Sequence, residues 1–568
     1  MKWIKLTLLV SVALLAGVLA LAWLLFIPAA APEHRLFVNG QILSMDADDQ
    51  VFEAMSVRGD RIHRLGSDEE MRALAADNTV ITDLQGRTLL PGFVDAHGHF
   101  PGSGIDVVSV DLRSPPVGEV TSIEQLQDAL RARLDGKSDD NWLAGFGYDD
   151  TLLREKRHPT RADLDEVSSD IPIYITHISL HMGVGNSRAF ELMGITADSE
   201  DPVGGVIVRL PNSREPAGLL EETAQGSATA EALSFSMLDS IGILLSANRE
   251  YAAQGVTTAQ SGGVDRSMAE SMAVPVQIGL VGPRLVLFPF EHLLGEDLLD
   301  GSFDSADLAS DKLIIGPVKI VADGSIQGFT GYLAEPYYTP YKGDPEYRGY
   351  PAVPRDELIE IVARYHAAGF QLAIHGNGDA SIDDILDAFE LAQAQNPVED
   401  PRLILVHAQM AREDQLLRMR ELGVTPSFFS AHTYYWGDRH RDIFMGPERA
   451  ARMSPTRSAQ DLGLRYSVHL DTPVVPMLPL QLLWSTVNRI STGGDVIGAE
   501  QRVSVMQALR AMTIEAAWQV FQEDNIGSLE SGKLADIVIL DGDPLKEPDV
   551  RDIAVVETIV GGRTIYQR

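Results

Sequence analysis

Cysteine is absent from all 568 residues. That excludes disulfide scaffolds, thiolate zinc sites, iron–sulfur clusters and cysteine nucleophiles together. It is compatible with an oxidising compartment without requiring one. Positive charge is scarce: 46 Lys+Arg stand against 81 Asp+Glu, a formal −35 at pH 7, and no basic run occurs. A field of that sign repels phosphate backbones, so nucleic acid is not expected as a partner. Anionic membrane surfaces and anionic substrates are disfavoured for the same reason. Low complexity is lacking too. With 45% hydrophobic and 22% charged residues the chain has the composition of a globular protein able to bury a large core. Its length fits several ordinary domains or one large barrel with attachments.

Long apolar runs are also rare, and one stands out. After Lys2 and Lys5, the 22 residues from Leu6 to Ile27 carry no charge. At ~1.5 Å per residue they reach ~33 Å, enough for a hydrocarbon core of ~30 Å. A cleaved signal peptide has a shorter apolar region of about 7–15 residues. Ala29-Ala30-Ala31 nevertheless offers small residues to a signal peptidase. Residues 1–34 therefore read as a membrane anchor or signal segment with its linker. The lysine flank places the remainder outside the cytoplasm, either anchored or free in a periplasmic or extracellular space.

Residues 35–90 alternate in short strand-like stretches with Gly and Asn-Gly turns, and 525–568 read the same way. Such segments at opposite ends of a chain are able to pair into one small sheet domain. Between them, over 91–524, strands and helices alternate as in a parallel α/β fold. The strand candidates are GFVDAHGH, GVTTAQSGG, RLVLFPF, GPVKIVADG, FQLAIHGNGD, RLILVHAQ, GVTPSFF and LRYSVHLDTP, with amphipathic stretches such as RDELIEIVARYHAAG between them. Eight such units match a closed (β/α)₈ TIM-type barrel, whose sites lie at the C-terminal strand ends. About 150 residues separate the first two strands, so an insertion over about 101–250 is expected to form a subdomain over the mouth.

Chemistry-bearing residues gather at those strand ends. His97 and His99 form an HxH pair closing the first strand, and on an extended strand both rings face one side. Lys319 lies in the fourth strand, His375 ends the fifth, His407 the sixth and Asp471 the eighth. Barrel geometry makes them converge. Imidazole and carboxylate donors without thiolates suit a divalent catalytic metal: zinc first, with manganese or iron as alternatives. Two ions would need a bridge, for which Lys319, once carboxylated, is placed; pairing of its ammonium with Asp471 or Asp323 is the plainer reading. Asp471 would orient the attacking water, accept its proton and pass it to the leaving group.

The segments LLPGFVDAHGHF, VKIVADGSIQG, AIHGNGDA, LILVHAQ, HLDTPVVPMLPL and GSLESGKLADIVILDGDP, in this order, resemble the metal-dependent amidohydrolase superfamily. More narrowly they resemble its amidohydrolase-3 branch, which includes N-substituted formamide deformylase-like proteins. The resemblance runs from about residue 35 to the C-terminus. It implies a (β/α)₈ barrel, a β-sandwich composed from both termini, and hydrolysis of non-peptide C–N bonds in small amide, formamide or cyclic amide substrates. His97, His99, Lys319, His375, His407 and Asp471 match its metal and catalytic positions. His181 and Asn186 match a segment bordering the substrate, and Asp379 is expected to orient a neighbouring ligand. Where relatives commonly carry Gly-Ser before the final Asp, this chain has His469-Leu470, so His469 is a candidate substrate contact. Trp142, Phe146 and Tyr148 fit an apolar ligand or ordinary core equally. The sequence leaves open one metal or two, a homo-oligomer, the same centre acting on an ester, lactone or phosphoester, and a non-catalytic binding role on the same scaffold.

The apolar segment generates the first prediction. A reporter active only outside the cytoplasm, fused after residue 35, should be active. A silent fusion beside a working cytoplasmic reporter would refute export.

Overall fold

The computed structural model describes residues 30–135 and 141–568. The apolar stretch Leu6–Ile27 lies outside them. Among the described residues no helix is long and apolar enough to cross a membrane.

Short parallel strands follow one another along the chain: β1 Phe93–Val94, β2 Val256–Val264, β3 Arg284–Pro289, β4 Val318–Val321, β5 Leu372–Gly376, β6 Ile404–His407, β7 Thr425–Phe428 and β8 Ser467–Val468. Most are buried along their whole length, as strands covered on both faces must be. They form two parallel sheets. One joins β1, β2 and β3 to Leu313–Ile315; the other runs β4-β5-β6-β7-β8. The break falls at Gly316-Pro317, where proline supplies no N–H to continue a ladder. Across it, Phe290 after β3 makes a parallel bridge to Lys319 in β4. At the other seam Asp471 N donates to His97 O (3.1 Å) and His99 N donates to Thr472 O (2.8 Å), tying the end of β8 to the end of β1.

Helices alternate with these strands. Arg355–Ala367 leads into β5 and Glu413–Leu422 into β7. The second stops at Gly423, whose φ of 69° is the left-handed conformation a helix end demands of a residue without Cβ.

Between β1 and β2 stands a separate six-stranded sheet, ordered Gly205–Arg209, Pro216–Glu222, Met182–Gly185, Ile173–His177, Leu143–Tyr148 and Val110–Asp111. Leu112, Leu126, Leu130, Leu164, Ile175 and Val184 give it a core of its own. Helix Met237–Ala253, opened by a Ser236–Asp239 capping box, returns the chain to β2. At the termini, Ile537–Leu540 pairs antiparallel with Thr88–Pro91, so strands from both chain ends share one sheet. Phe37, Ile42, Leu89, Ile537 and Ile559 fill the space beneath.

A buried ion pair fastens that terminal sheet to the parallel strands. Arg284, at the start of β3, donates to both carboxylate oxygens of Asp536 at 2.6 and 3.1 Å. The same carboxylate accepts Gly561 N, and Arg284 reaches Asp311 O. Such a bidentate pair tolerates burial because every polar atom is engaged. Asp536→Ala strands the guanidinium and should lower unfolding free energy by roughly 3–5 kcal/mol. Denaturant titration measures this; a loss below about 1 kcal/mol, the scale of an exposed pair, would contradict it.

Candidate metal centre

The site is built where β1, β4, β5, β6 and β8 end. His97 and His99 lie past the end of β1, not on it. The Asp95 carboxylate binds the His97 backbone and folds the segment out of extended geometry. The two imidazoles meet edge to face, centroids 5.3 Å apart, instead of standing in strand register. Both still reach one carboxylate oxygen: Asp471 Oδ1 is 3.6 Å from His97 Nε2 and 3.2 Å from His99 Nε2. Asp471 Oδ2 is 4.0 Å from His407 Nε2. Lys319 Nζ lies 3.0 Å from His97 Nε2, and His375 Nδ1 3.1 Å from His407 Nε2. The structure thus gathers His97, His99, Lys319, His375, His407 and Asp471 around one point. His407 (φ 70°) and Asp471 (φ 58°) both hold left-handed backbone. For residues with a Cβ this costs on the order of 1–3 kcal/mol each and is typical of side chains aimed for function.

Hydrogen bonding decides which ring nitrogens are bare. The Ala96 carbonyl accepts the side-chain N–H groups of Gln260 (3.0 Å) and Gln519 (2.7 Å). Each amide must therefore turn its oxygen the other way. Gln260 Oε1 accepts Gly98 N and His97 Nδ1–H (2.8 Å), which leaves His97 Nε2 bare. Gln519 Oε1 accepts the Ser467 hydroxyl (2.6 Å), so Ser467 Oγ must accept from Ser427 (2.9 Å). Ser427 Oγ then accepts His469 Nδ1–H (2.9 Å), His469 Nε2 accepts His407 Nδ1–H (3.0 Å), and His407 Nε2 is bare. Around His375 Nε2 stand two acceptors, Gly324 O at 3.2 Å and Asp323 Oδ1 at 3.6 Å, and one donor, the Asn377 amide nitrogen at 3.0 Å, so the relay from Ala96 does not extend to the proton on this ring. The bare Nε2 of His407 faces His375 Nδ1 at 3.1 Å.

Charge and burial agree. Burial first, and then neighbouring groups that would be cationic, hold His97, His375 and His407 well below the usual histidine range, hence neutral. Burial brings Lys319 down to about 7 against the opposing pull of Asp471. Burial alone would raise Asp471, but His99, His469 and Lys319 outweigh it and its acidity is strengthened. Asp471 Oδ1 is buried without a hydrogen bond of ordinary geometry. Neutral imidazoles with outward lone pairs, an anionic carboxylate and an orphaned oxygen are what a divalent cation needs, and His97, His99 and Asp471 offer donor atoms within 4.8 Å of one another.

Three residues have other places than the sequence reading gave them. Asn186 is fully buried: its oxygen accepts Ile173 N and Ala189 N, and its amide donates to Ser168 O and Ile171 O. It caps helix Ser187–Met193 and has nothing left for a substrate. Asp379 opens helix Asp379–Gln395, accepts Ala334 N and faces Arg412, not a ligand histidine. The carboxylate beside His375 is instead Asp323, whose oxygens accept the Asn377, Tyr332 and Gly378 amides. His469 has both ring nitrogens occupied, so it positions His407 and does not face substrate. His181 does border the cluster: Glu222 Oε2 holds its Nδ1 at 2.8 Å, and its ring is 5.0 Å from that of His375. Tyr148 and Phe146 are core.

Gln260, Gln519, Asp323 and Glu222 were not singled out from sequence. Gln260 stands midway along β2, and Asp323 lies two residues past β4. A second grouping, Asp149, Asp150 and His177, has His177 Nε2 3.3 Å from Asp150 Oδ1 without a hydrogen bond of ordinary geometry. Asp149 is consumed by Arg439, Trp436 and Thr151, and His177 Nδ1 by Ser179.

A buried His/Asp/Lys donor set at the ends of parallel strands defines a metal-dependent hydrolase of the α/β class. The sequence profile of the amidohydrolase-3 family (amidohydrolase family) matches residues 80–566, and the chain belongs to that family. It is 28% identical to N-substituted formamide deformylase of Arthrobacter pascens over 94% of this chain and 98% of that protein. It is 29% identical to Protein LONG AFTER FAR-RED 3 of Arabidopsis thaliana, over 95% and 92%. Among solved structures, an uncharacterized metal-dependent hydrolase from Pyrococcus furiosus superposes with TM-score 0.69 at 26% identity, covering 90% of this chain and all of that one. Its counterpart from Pyrococcus horikoshii gives 0.72 at 24% identity, over 91% and 99%, a likeness of fold.

Asn186→Ala should cost about 2–4 kcal/mol of stability, from a lost cap and orphaned backbone groups, while turnover per folded molecule stays at the wild-type value. A fall in kcat/KM at unchanged stability would return Asn186 to the substrate.

Proposed function

We propose that the protein is an exported hydrolase that cleaves a non-peptide C–N bond of an amide, formamide or cyclic amide with water, on a (β/α)₈ barrel closed through the two seams described above. The observation that carries this reading is the pair of bare nitrogens at His97 and His407, gathered with His99 and His375 around the orphaned oxygen of Asp471. The likeness to a formamide deformylase supports the choice of bond; the apolar N-terminal segment supports export.

His97, His99, His375, His407 and Asp471 would hold the metal, for which zinc best suits the imidazole and carboxylate donors. Bound there, the ion supplies Lewis-acid chemistry: it acidifies water and polarises a carbonyl. Lys319, substantially uncharged near neutrality at its shifted pKa, is able to add carbon dioxide and release a proton, and the resulting carbamate offers two further oxygen donors. Asp471 accepts a proton from the attacking water at its free oxygen and returns it to the departing nitrogen. Burial works against a proton on His181, but the Glu222 carboxylate outweighs it and raises the pKa, which favours the protonated ring. With Nδ1 spent on Glu222, its Nε2–H is the donor left for the substrate oxygen.

Asparagine at 471 keeps size and one acceptor oxygen but takes up no proton at neutral pH. Asp471→Asn should bind metal nearly normally and lose on the order of 10²–10⁴ in rate, or roughly 3–5 kcal/mol of barrier. Rate, metal content and folded fraction should be read on one preparation. A folded, metal-replete variant near wild-type rate would remove Asp471 from the mechanism.

A further inference from the structure

Strand Pro216–Glu222 ends in two consecutive carboxylates, Glu221 and Glu222, only 3% and 7% exposed. A buried carboxylate is costly unless paired. Glu222 spends one oxygen on His181; the other, Oε1, is buried without a hydrogen-bond partner. Glu221 is met by three donors, the hydroxyls of Tyr341 and Tyr350 and the ammonium of Lys342, all at 3.4 Å, the far end of the hydrogen-bonding range. The Lys342 Nζ also stands 4.7 Å from the centroid of the Tyr341 ring. An ammonium group thus sits between a buried carboxylate and an aromatic face. The side chain that delivers it is 55% exposed and free to swing into solvent. The Tyr341 ring is not: it packs against Phe329 (4.6 Å) and Tyr347 (4.8 Å).

This arrangement borders the metal cluster by two routes. Glu222 holds His181, whose ring lies against His375. Tyr350 precedes Pro351, which pairs with Asp323 beside His375. Both carboxylates act on the same Tyr350 hydroxyl: burial raises its pKa first, then Glu222, then Glu221.

We propose that Glu221, Tyr341 and Tyr350 form a binding pocket for a cationic amine carried by the substrate, with Lys342 as the resident cation that the amine displaces. A carboxylate facing an aromatic ring is a general solution for ammonium recognition, and a chain of charge −35 draws cations toward its mouth. The assignment rests on the hydrolase reading for the reaction and names the substrate class: amides bearing a protonated or quaternary amine.

The test uses the full, metal-loaded chain. Benzyltrimethylammonium, which is unable to ligate a metal, is titrated calorimetrically into wild type, Glu221→Gln and Lys342→Met. Loss of one charged contact should weaken binding roughly tenfold or more in Glu221→Gln, whereas removal of the resident cation should tighten it in Lys342→Met. A paired kinetic arm compares a formamide carrying a terminal ammonium with its uncharged methyl counterpart. Wild type should favour the charged one by at least about tenfold in kcat/KM, and Glu221→Gln should erase the preference. Equal hydrolysis of both by wild type overturns the pocket and leaves the hydrolase standing. Glu221-dependent binding without hydrolysis of either overturns the hydrolase and leaves the pocket. Should Glu221→Gln fail to fold, the exposed Lys342→Met variant decides: unchanged or weaker ammonium binding there refutes the proposal.

Discussion

One backbone carbonyl organises the centre. Ala96 O receives two side-chain amides, Gln260 from β2 and Gln519 from a segment 423 residues away in sequence. A carbonyl accepts and never donates, so both amides are forced to present oxygen outward. From that constraint the proton positions on His97, His469 and His407 follow in turn, through Ser467 and Ser427. The result is two imidazoles with their Nε2 lone pairs free, in a place where burial keeps them neutral. Orienting ligands through a surrounding shell of hydrogen bonds is the usual means by which proteins tune a metal. Here the shell joins β2, β7 and β8 to the segment that follows β1, so the condition of the site and the approach of those strands depend on each other.

The gathered residues were legible because they follow a simple rule. His375, His407 and Lys319 each sit in or at the end of an apolar stretch that reads as a buried strand, and parallel strands send their ends to one face. The HxH pair was legible as a motif but not in its geometry: Asp95 bends the chain after Val94, which no periodicity announces. Asp379 opens its helix without capping it and spends its oxygens on Ala334 N and Arg412. Asn186 misled for a plain physical reason. A polar residue at the start of a helix satisfies backbone amides, and in sequence such a residue looks the same as one reserved for a ligand. Gln519 carried no signal, since its role depends on a contact with Ala96 that only the folded chain creates. His469, marked from sequence as a departure before the final Asp, proves to be a link in the relay to His407.

Acidity, the plainest feature of the composition, has a local counterpart. Asp323, Glu221 and Glu222 stand buried near the cluster, and burial raises Asp323 to about 7 despite three backbone donors. His181 and the Lys342 ammonium are the groups set against them, at Glu222 and Glu221. An anionic substrate would meet that field at a loss, while a neutral amide with a cationic arm would not. The charge balance of the whole chain and the chemistry of the mouth therefore select in the same direction.

The central claim is that the Ala96 carbonyl fixes which imidazole nitrogens are free to bind metal. The most direct measurement is a crystal structure of the metal-loaded full chain at a resolution that distinguishes the ring nitrogens by their contacts. The account predicts an ion held through Nε2 of His97 and Nε2 of His407, with Gln260 and Gln519 still bound to Ala96 O. An ion held through the opposite ring nitrogens, or amides turned away from Ala96 with the same ligands engaged, would contradict it.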